Sequence, residues 1–148
     1  MQISYQEMCS REGKRLRRGM YYRLKKNYSV ILMNTSSDAP YEDFWEEAGK
    51  ILIYEGHNAF RRKGCPDPKS IDQPYTTKSR KLTQNGLFFE AVKAFKLGKR
   101  KAERVKVYEK IAPGIWKYHG FFRLVDAWRI RKDGRYVFKF RLLAEKEL

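Results

Sequence analysis

Residues 28–58 read YSVILMNTSSDAPYEDFWEEAGKILIYEGHN and contain two apolar runs joined by a polar connection. The runs Tyr28 to Met33 and Lys50 to Tyr54 are short and rich in strand-forming residues, which predicts two β-strands. Asn34 to Pro40 consists of turn-forming residues. Two groups each combine a tyrosine with carboxylates. They are Tyr41-Glu42-Asp43, within the connection, and Tyr54-Glu55, at the end of the second run.

C-terminal to these strands the chain predicts a long loop and then a helix. Residues 57–81 combine glycine, prolines and basic residues without a usable period, which is typical of a long functional loop. From Thr83 to Gly98 the apolar residues follow a helical spacing, and Thr83 or Asn85 would cap the start. The apolar stripe of this helix consists of Leu87, Phe88, Ala91, Val92 and Phe95.

The last third of the chain is predicted to be β. We expect strands from Val105 to Tyr108, from Ile115 to Tyr118 and from Phe121 to Ile130, with a break at His119-Gly120. Asp133-Gly134 predicts a hairpin turn into an alternating strand. The order of elements indicates an α+β fold, in which a curved sheet or β-barrel is flanked by helices.

Charge indicates the kind of partner. The chain has 148 residues with 33 Lys and Arg against 17 Asp and Glu, a formal net charge of +16. This length suits one domain, and an apolar fraction of 42% is enough for a core. Self-repulsion at this charge is commonly offset by a polyanionic partner, so we expect a nucleic-acid-binding protein. Tyr5 to Arg18 has the composition of a basic helix, so residues 1–26 are predicted to be a basic helical arm and residues 27–148 the DNA-binding domain.

One acidic island interrupts the basic chain. Residues 27–58 hold six carboxylates and one lysine, and the segments on both sides are basic. Carboxylates repel phosphates, so the island is either a solvated loop opposite the binding face or a specificity element that accepts a hydrogen bond from cytosine. A Mg²⁺ nuclease site built from Asp43, Glu47, Lys50 and Glu55 is a further alternative.

Other function classes lack their motifs in this sequence. No run of eighteen apolar residues predicts a membrane span, and no secretory signal peptide follows Met1. Cys9 and Cys65 are too few for a disulfide framework or a zinc site. Phosphate-binding loops and nucleophile motifs are lacking too, so we expect no enzyme, no metal and no cofactor.

Tyr41 and Tyr54 lie on either side of residues 42–53, which carry four of the six carboxylates of the acidic island. Two aromatic plates around one acceptor are what a pocket for an extruded base requires, because the rings stack on the base and a carboxylate reads its edge. The alternative is that both tyrosines are ordinary sheet aromatics.

The order of these motifs resembles that of the SRA (YDG) domain, a PUA-like module that recognises modified cytosine by flipping it out of duplex DNA. The resemblance covers about residues 28 to 143. Its segments are Val30-Ile31-Leu32 with Tyr41-Glu42-Asp43, Tyr54-Glu55-Gly56, Arg61-Arg62-Lys63, Asp72-Gln73 with Asn85, Val105-Lys106-Val107, and Tyr118-His119-Gly120. More closely, Ala39 to Asp43, Leu52 to His57 and Leu82 to Gly86 are similar to the N-terminal domain of bacterial HNH restriction endonucleases that cut modified DNA.

The resemblance implies a non-catalytic reader of double-stranded DNA that contains 5-methylcytosine or 5-hydroxymethylcytosine. It would act in the bacterial cytoplasm beside the nucleoid, as the recognition module of a modification-dependent endonuclease. A nuclease domain would lie C-terminal to it in a full-length relative, and a homodimer through that domain is left open. An RNA-binding PUA-like module and a basic protein adaptor are alternatives, because they share this basic and aromatic composition.

The resemblance also assigns site residues. Tyr41 and Tyr54 would stack on the flipped base, Asp43 would accept from its exocyclic amine, and Glu55 and Gly56 would line the pocket. The residues implied for the DNA backbone and groove are His57, Asn58, Arg61, Arg62, Lys63, Gln73, Lys78, Arg80, Lys81 and Asn85.

Two positions depart from the family pattern. Phe44 stands where eukaryotic members carry the base-reading aspartate, so Asp43, Glu46 and Glu47 are all candidates for that role. Glu55 replaces a threonine that touches the methyl group in those members. A carboxylate is a poor methyl neighbour, which leaves room for a larger or hydroxylated substituent.

Overall fold

The computed structural model describes residues 1–147, which form eight β-strands and two α-helices. The helices are α1 (Tyr5–Glu12) and α2 (Gln84–Lys96). The strands are β1 (Gln2–Ser4), β2 (Met20–Lys25), β3 (Tyr28–Met33), β4 (Phe44–Glu46), β5 (Ile51–Glu55), β6 (Glu103–Ala112), β7 (Ile115–Lys132) and β8 (Arg135–Ala144).

All eight strands belong to one mixed sheet. The strand order is β2-β3-β6-β7-β8-β5-β4, and β1 pairs with the first residues of β7. Only β3 and β6 are parallel among the described strands, and the connection between them carries β4, β5, the long loop and α2. The predicted α+β class with flanking helices is confirmed, and within residues 1–147 the sheet is open, with β2 and β4 at its edges.

Two apolar clusters hold the sheet and helices together. In the larger cluster the buried face of α2, with Phe88 and Val92, packs on Phe138, Phe140 and neighbouring strand residues. The smaller cluster lies under α1 and contains Met8, Leu16 and Tyr108. The core therefore follows the helical stripe and the strand alternation of the sequence. Among the described residues, no helix is long and apolar enough to cross a lipid bilayer.

The predicted break at His119-Gly120 is wrong, because β7 runs without interruption from Ile115 to Lys132. Gly120 adopts a φ of +86° inside the strand, and the register with β6 shifts at this point. Gly120 is part of a β-bulge, at which the strand bends but does not end.

The N-terminal helix is shorter than the sequence predicts, and the N-terminal segment contributes two strands to the sheet. Ser4 caps α1, and Gly13, with a φ of +67°, ends it after Glu12 instead of near residue 18. A glycine in the left-handed conformation is a common helix terminator. The predicted division at residue 26 coincides with no break in the sheet, since β1 pairs with β7 and β2 pairs with β3.

Candidate nucleic-acid interface

Two adjoining cavities open where β5 leaves the sheet. The small cavity has a volume of about 230 Å³ and the large cavity about 540 Å³. The small cavity is lined by residues 16–19, 32–34 and 39–41 with Asp43, Tyr54, Lys110 and Trp116. The large cavity is lined by residues 17–20, Tyr41, residues 57–61 and 68–69, Thr77 and residues 82–84. The small cavity has room for about seven waters at liquid density, which suits a single pyrimidine base.

Tyr41 and residues 17–19 form the wall between the two cavities. Tyr41 follows Pro40 in the connection between β3 and β4 and is half-buried. Its hydroxyl accepts a hydrogen bond from the backbone amide of Asn58 at 3.3 Å. The ring is thereby held at the start of the long loop, where it is accessible from both cavities.

Tyr54 lies on β5 and is 3% exposed. Its hydroxyl lies 3.0 Å from the carbonyl oxygen of Gly19 and 3.3 Å from that of Leu32, to which it donates. A Cβ atom at Gly19 would lie 2.4 Å from this hydroxyl, so only glycine fits there. Burial raises the pKa of Tyr54 well above its ordinary value of 10, which keeps the hydroxyl protonated as a donor.

Asp43 is 8% exposed and lies at the end of the small cavity. One carboxylate oxygen accepts from the amide of Glu55 at 2.9 Å, and the other accepts from the amide of Asn34 at 3.1 Å. Burial raises the pKa of Asp43 to about 7, and the nearby charge of Glu55 adds to this, whereas the two backbone donors lower it. Of the three carboxylates left open by the sequence, Asp43 lines the cavity, and Glu46 and Glu47 are exposed outside it.

The raised pKa of Asp43 predicts a pH-dependent contribution to stability. The unfolded chain releases this proton near pH 3.8 and the folded chain near pH 7, so the folded state binds more protons between these values. The stabilisation is fully present below about pH 4 and is lost as the pH rises through 7. We expect the free energy of unfolding of the wild type, relative to Asp43→Asn, to fall by up to about 1.4 kcal/mol per pH unit in this window. Urea unfolding at several pH values measures it, and a difference that is constant or rises with pH would contradict the assignment.

The side chain of Glu55 does not line either cavity, which corrects its grouping with Tyr54. Successive residues of a strand point to opposite faces, so Tyr54 faces the small cavity and Glu55 faces away. Glu55 is 1% exposed, and its carboxylate pairs with Lys132 at 3.0 Å and Lys139 at 3.3 Å. Gln73 donates to its other oxygen. Glu55 therefore anchors the β7–β8 hairpin to β5.

Gln73 and Asn85 are structural residues and not groove contacts, which corrects a second prediction. Both are buried, and their amide groups bond to backbone around Gly56 and His57. Asn85 accepts from the amide of His57 and donates to its carbonyl oxygen, both at 2.9 Å. A Cβ at Gly56 would lie 2.4 Å from Asn85 Oδ1, so this glycine permits the close approach. The two amides fix the path of the chain as it leaves β5.

The long loop supplies a stack of rings at the large cavity. The imidazole of His57 stacks on Phe60 with centroids 6.2 Å apart, and the guanidinium of Arg18 lies 4.6 Å from the centroid of Phe60. Burial lowers the pKa of His57, so its ring is neutral at physiological pH. Phe60 is 57% exposed and was not predicted as a site residue.

Of the predicted basic contacts, Arg61 lines the large cavity, and the others lie on two exposed turns next to lining residues. Arg61, Arg62 and Lys63 follow the ring stack, and Arg61 also lies 3.4 Å from the carboxylate of Asp67. Lys78, Arg80 and Lys81 lie in the turn closed by the bridge between Thr76 and Leu82. Asn58 is partly buried and accepts from Arg135 at 2.8 Å, which ties this loop to β8.

Sequence reasoning missed Arg17 and Arg18, which line both cavities. Their backbone amides donate to the hydroxyl of Tyr21 at 2.6 and 2.7 Å, and their side chains are exposed. The run Arg15 to Arg18 is visible in the sequence but lies within the basic helix predicted for Tyr5 to Arg18. Because α1 ends at Gly13, this run is non-helical and reaches the cavities instead.

The candidate Mg²⁺ ligands Asp43, Glu47 and Glu55 do not converge on one point, whereas Glu42 and Glu55 both pair with Lys132 and Lys139. Asp43 bonds to backbone amides, Glu55 pairs with lysines on the other side of β5, and Glu47 is exposed in the turn after β4. Within residues 1–147, no three His, Cys, Asp or Glu side chains are grouped as metal ligands.

Known proteins resemble this chain in fold. No family model matches the chain. The histone-lysine N-methyltransferase family member SUVH2 of Arabidopsis thaliana is 28% identical over 106 residues, which are 70% of this chain and 14% of that protein. The chain therefore corresponds to a small part of this relative.

Several solved structures are similar over most of the chain. The SRA domain of SUVH5 in complex with methylated CHH DNA superposes with a TM-score of 0.65 and 19% identity, covering 96% of this chain and 84% of that chain. The same domain bound to fully hydroxymethylated CG DNA gives 0.61 and 20%, covering 96% and 85%. The DNA modification-dependent restriction endonuclease AspBHI gives 0.59 and 16%, covering 86% and 61%. At these identities the likeness is one of fold.

Proposed function

We propose that this chain, which has the fold of SRA domains, binds duplex DNA containing 5-methylcytosine or 5-hydroxymethylcytosine and takes the modified base into the small cavity. The observation that carries this proposal is the composition of that cavity. Tyr41, Tyr54 and Asp43 are brought together there, as the sequence predicts for a pocket around an extruded base. The similar SRA domains in complex with methylated or hydroxymethylated DNA support the ligand class.

Asp43 is suited to reading the exocyclic amine of cytosine. Because burial raises its pKa to about 7, Asp43 is ionised in an increasing fraction of molecules as the pH rises through 7. In that state its carboxylate offers about four lone-pair sites, and the backbone amides of Asn34 and Glu55 occupy one on each oxygen. The remaining sites accept from an amine, whereas thymine presents a carbonyl oxygen at the same position. Backbone donors hold the carboxylate in place before the base arrives, so little entropy is lost on binding.

Phosphate contacts supply the affinity that stacking alone does not. Unstacking and unpairing a base costs a few kcal/mol. Stacking on aromatic rings returns roughly 1–3 kcal/mol per base. The remaining binding free energy would come from basic side chains around the large cavity, on residues 17–18, 61–63, 78 and 80–81. Since a pocket discriminates a single methyl group by only about 1–3 kcal/mol, we expect roughly ten- to two-hundredfold preference for modified DNA.

We further propose that this chain is the recognition module of a modification-dependent restriction system. The similarity in fold to AspBHI supports this role. The similarity to SUVH2 favours the alternative that the chain recognises modified DNA as part of a protein that is not a nuclease. A bacterial cytoplasmic location and a homodimer remain predictions of the sequence.

Fluorescence anisotropy with matched ligands tests the function. Duplexes with cytosine, 5-methylcytosine or 5-hydroxymethylcytosine in one context are compared with a structured RNA of equal length. We expect at least one of the two modified duplexes to bind at least about tenfold more tightly than the unmodified duplex and the RNA. Equal affinity for all duplexes would overturn the proposal, and a preference for RNA would favour the PUA-like alternative. Incubation with plasmid and Mg²⁺ tests the nuclease alternative, for which cleavage would be the positive result.

The arginines next to the cavities should contribute to affinity without discriminating between bases. Arg17→Gln/Arg18→Gln removes two cations, so affinity for modified and unmodified duplex should fall by a similar factor of about ten or more. The slope of log affinity against log salt should flatten by about two, and Arg61→Gln/Arg62→Gln should flatten it comparably. Titrations at several salt concentrations measure both slopes. An unchanged slope in either variant would place its DNA contacts elsewhere.

A further inference from the structure

We propose that a second cationic surface, at the C-terminal end of α2, binds backbone phosphates of the same duplex about five base pairs from the flipped base. We call it the far cationic surface and define it by Arg23, Lys26, Lys99, Arg100, Lys101 and Arg104. This inference rests on the proposed function, which brings the duplex to the two cavities.

The far cationic surface is separate from the basic turns at the cavities. Between residues 93 and 104 the chain carries six basic side chains and one carboxylate, Glu103. Glu103 is buried, bonds to Ser29 and pairs with Arg23 and Arg100. Above it lies a depression of about 320 Å³, lined by Arg23, Asn27 and residues 100–104 with Arg123. The only carboxylate in this lining is thus already neutralised, and the surface that faces solvent is cationic.

Three of its cations are available to a ligand. Within the described chain, no hydrogen bond or ion pair engages the ammonium groups of Lys26, Lys99 and Lys101, and all three side chains are exposed. The three arginines are paired with carboxylates, which leaves the three lysines as the strongest attraction for an anion. Unpaired lysines that lie close together repel one another. Phosphates of a DNA backbone would neutralise their charges and remove this repulsion.

Two elements connect the cavities to the far cationic surface. Gln84, at the start of α2, lines the large cavity, and α2 extends about 18 Å from there to Lys96. β2 follows the same direction, since Met20 lines the large cavity and Arg23 lines the far depression. The hydroxyl of Tyr22 on β2 accepts from Arg100, which ties the strand to the helix end. Both surfaces therefore border the same α2–β2 ribbon. Arg23 lies about 10 Å along β2 from Met20, whereas Lys99 and Lys101 follow the end of α2, whose length of about 18 Å corresponds to about five base-pair steps of a duplex.

Duplexes of two lengths test this inference. One has about four base pairs on each side of the modified cytosine, and the other has about eight. We expect the wild type to bind the longer duplex about tenfold more tightly near 0.1 M salt, with a salt slope steeper by about two. Lys99→Gln/Lys101→Gln should abolish this gain and leave affinity for the shorter duplex within about twofold of the wild type.

Each outcome decides one question. Equal weakening on both duplexes, or no weakening on either, would overturn the far contact. The contact would also be overturned if Lys99→Gln/Lys101→Gln lost the extra affinity for the longer duplex only when the DNA is unmodified. The contact would then be independent of the flipped base. If the wild type fails to distinguish modified from unmodified duplex at either length, the proposed function fails, whatever the length dependence.

Discussion

Replacing Tyr41 by alanine is expected to weaken binding to modified duplex by roughly ten- to a hundredfold, since stacking on one base contributes about 1–3 kcal/mol. Tyr41 is the residue for this test because it is half-buried and borders both cavities, whereas Tyr54 is fully packed. Its loss removes one plate of the small cavity and opens that cavity into the large one. Anisotropy titrations with modified and unmodified duplexes measure the effect.

The matched control for Tyr41 is phenylalanine. Tyr41→Phe retains the ring and removes only the hydrogen bond from the amide of Asn58, which is 3.3 Å long. Such a bond contributes roughly 0.5–1.5 kcal/mol, so we expect a smaller loss than with alanine. Unmodified duplex should lose less than modified duplex in Tyr41→Ala, because only the flipped base contacts the ring. An equal loss on both duplexes would contradict a stacking role.

Gly19→Ala is expected to close the small cavity and remove selective binding. The new Cβ would lie 2.4 Å from the hydroxyl of Tyr54, and burial leaves that ring little room to move. Overpacking of this kind destabilises a protein by about 1–3 kcal/mol. We expect the preference for modified over unmodified duplex to fall by at least about tenfold, with non-specific binding retained because the basic turns are unchanged.

A second substitution distinguishes displacement of Tyr54 from general unfolding. Tyr54→Phe removes the hydroxyl that the Cβ would meet, and with it the bonds to Gly19 and Leu32. The double variant Gly19→Ala/Tyr54→Phe should therefore bind modified DNA better than Gly19→Ala alone. Urea unfolding of all four proteins completes the cycle. Additive losses in the double variant would show that Gly19 does not act through Tyr54.

The parts of the site that follow local patterns were predictable from the sequence. Strand periodicity located β3 and β5, and Tyr41, from the connection after β3, lines the small cavity together with Tyr54 of β5. The helical stripe and Thr83 defined α2, whose N-cap is Thr83 as expected. These signals are local, so they survive folding unchanged.

The parts that depend on tertiary contacts were not predictable. Asn85 has a polar side chain at a helix start, and nothing local indicates that it bonds to His57 across 28 residues. Glu55 follows Tyr54 in β5, yet its side chain pairs with two lysines of the β7–β8 hairpin on the opposite face of the strand. Arg17 and Arg18 sit in a run that favours helix, and one glycine, Gly13, turned the chain out of it.

The most direct test of base extrusion uses 2-aminopurine placed beside the modified cytosine. Its fluorescence is quenched while it is stacked and rises when its neighbour leaves the helix, a change that phosphate contacts alone do not produce. At saturating protein we predict a several-fold rise with the modified duplex, a much smaller rise with the unmodified duplex and none with Gly19→Ala. Saturated binding without enhancement on the modified duplex would contradict base capture by the small cavity.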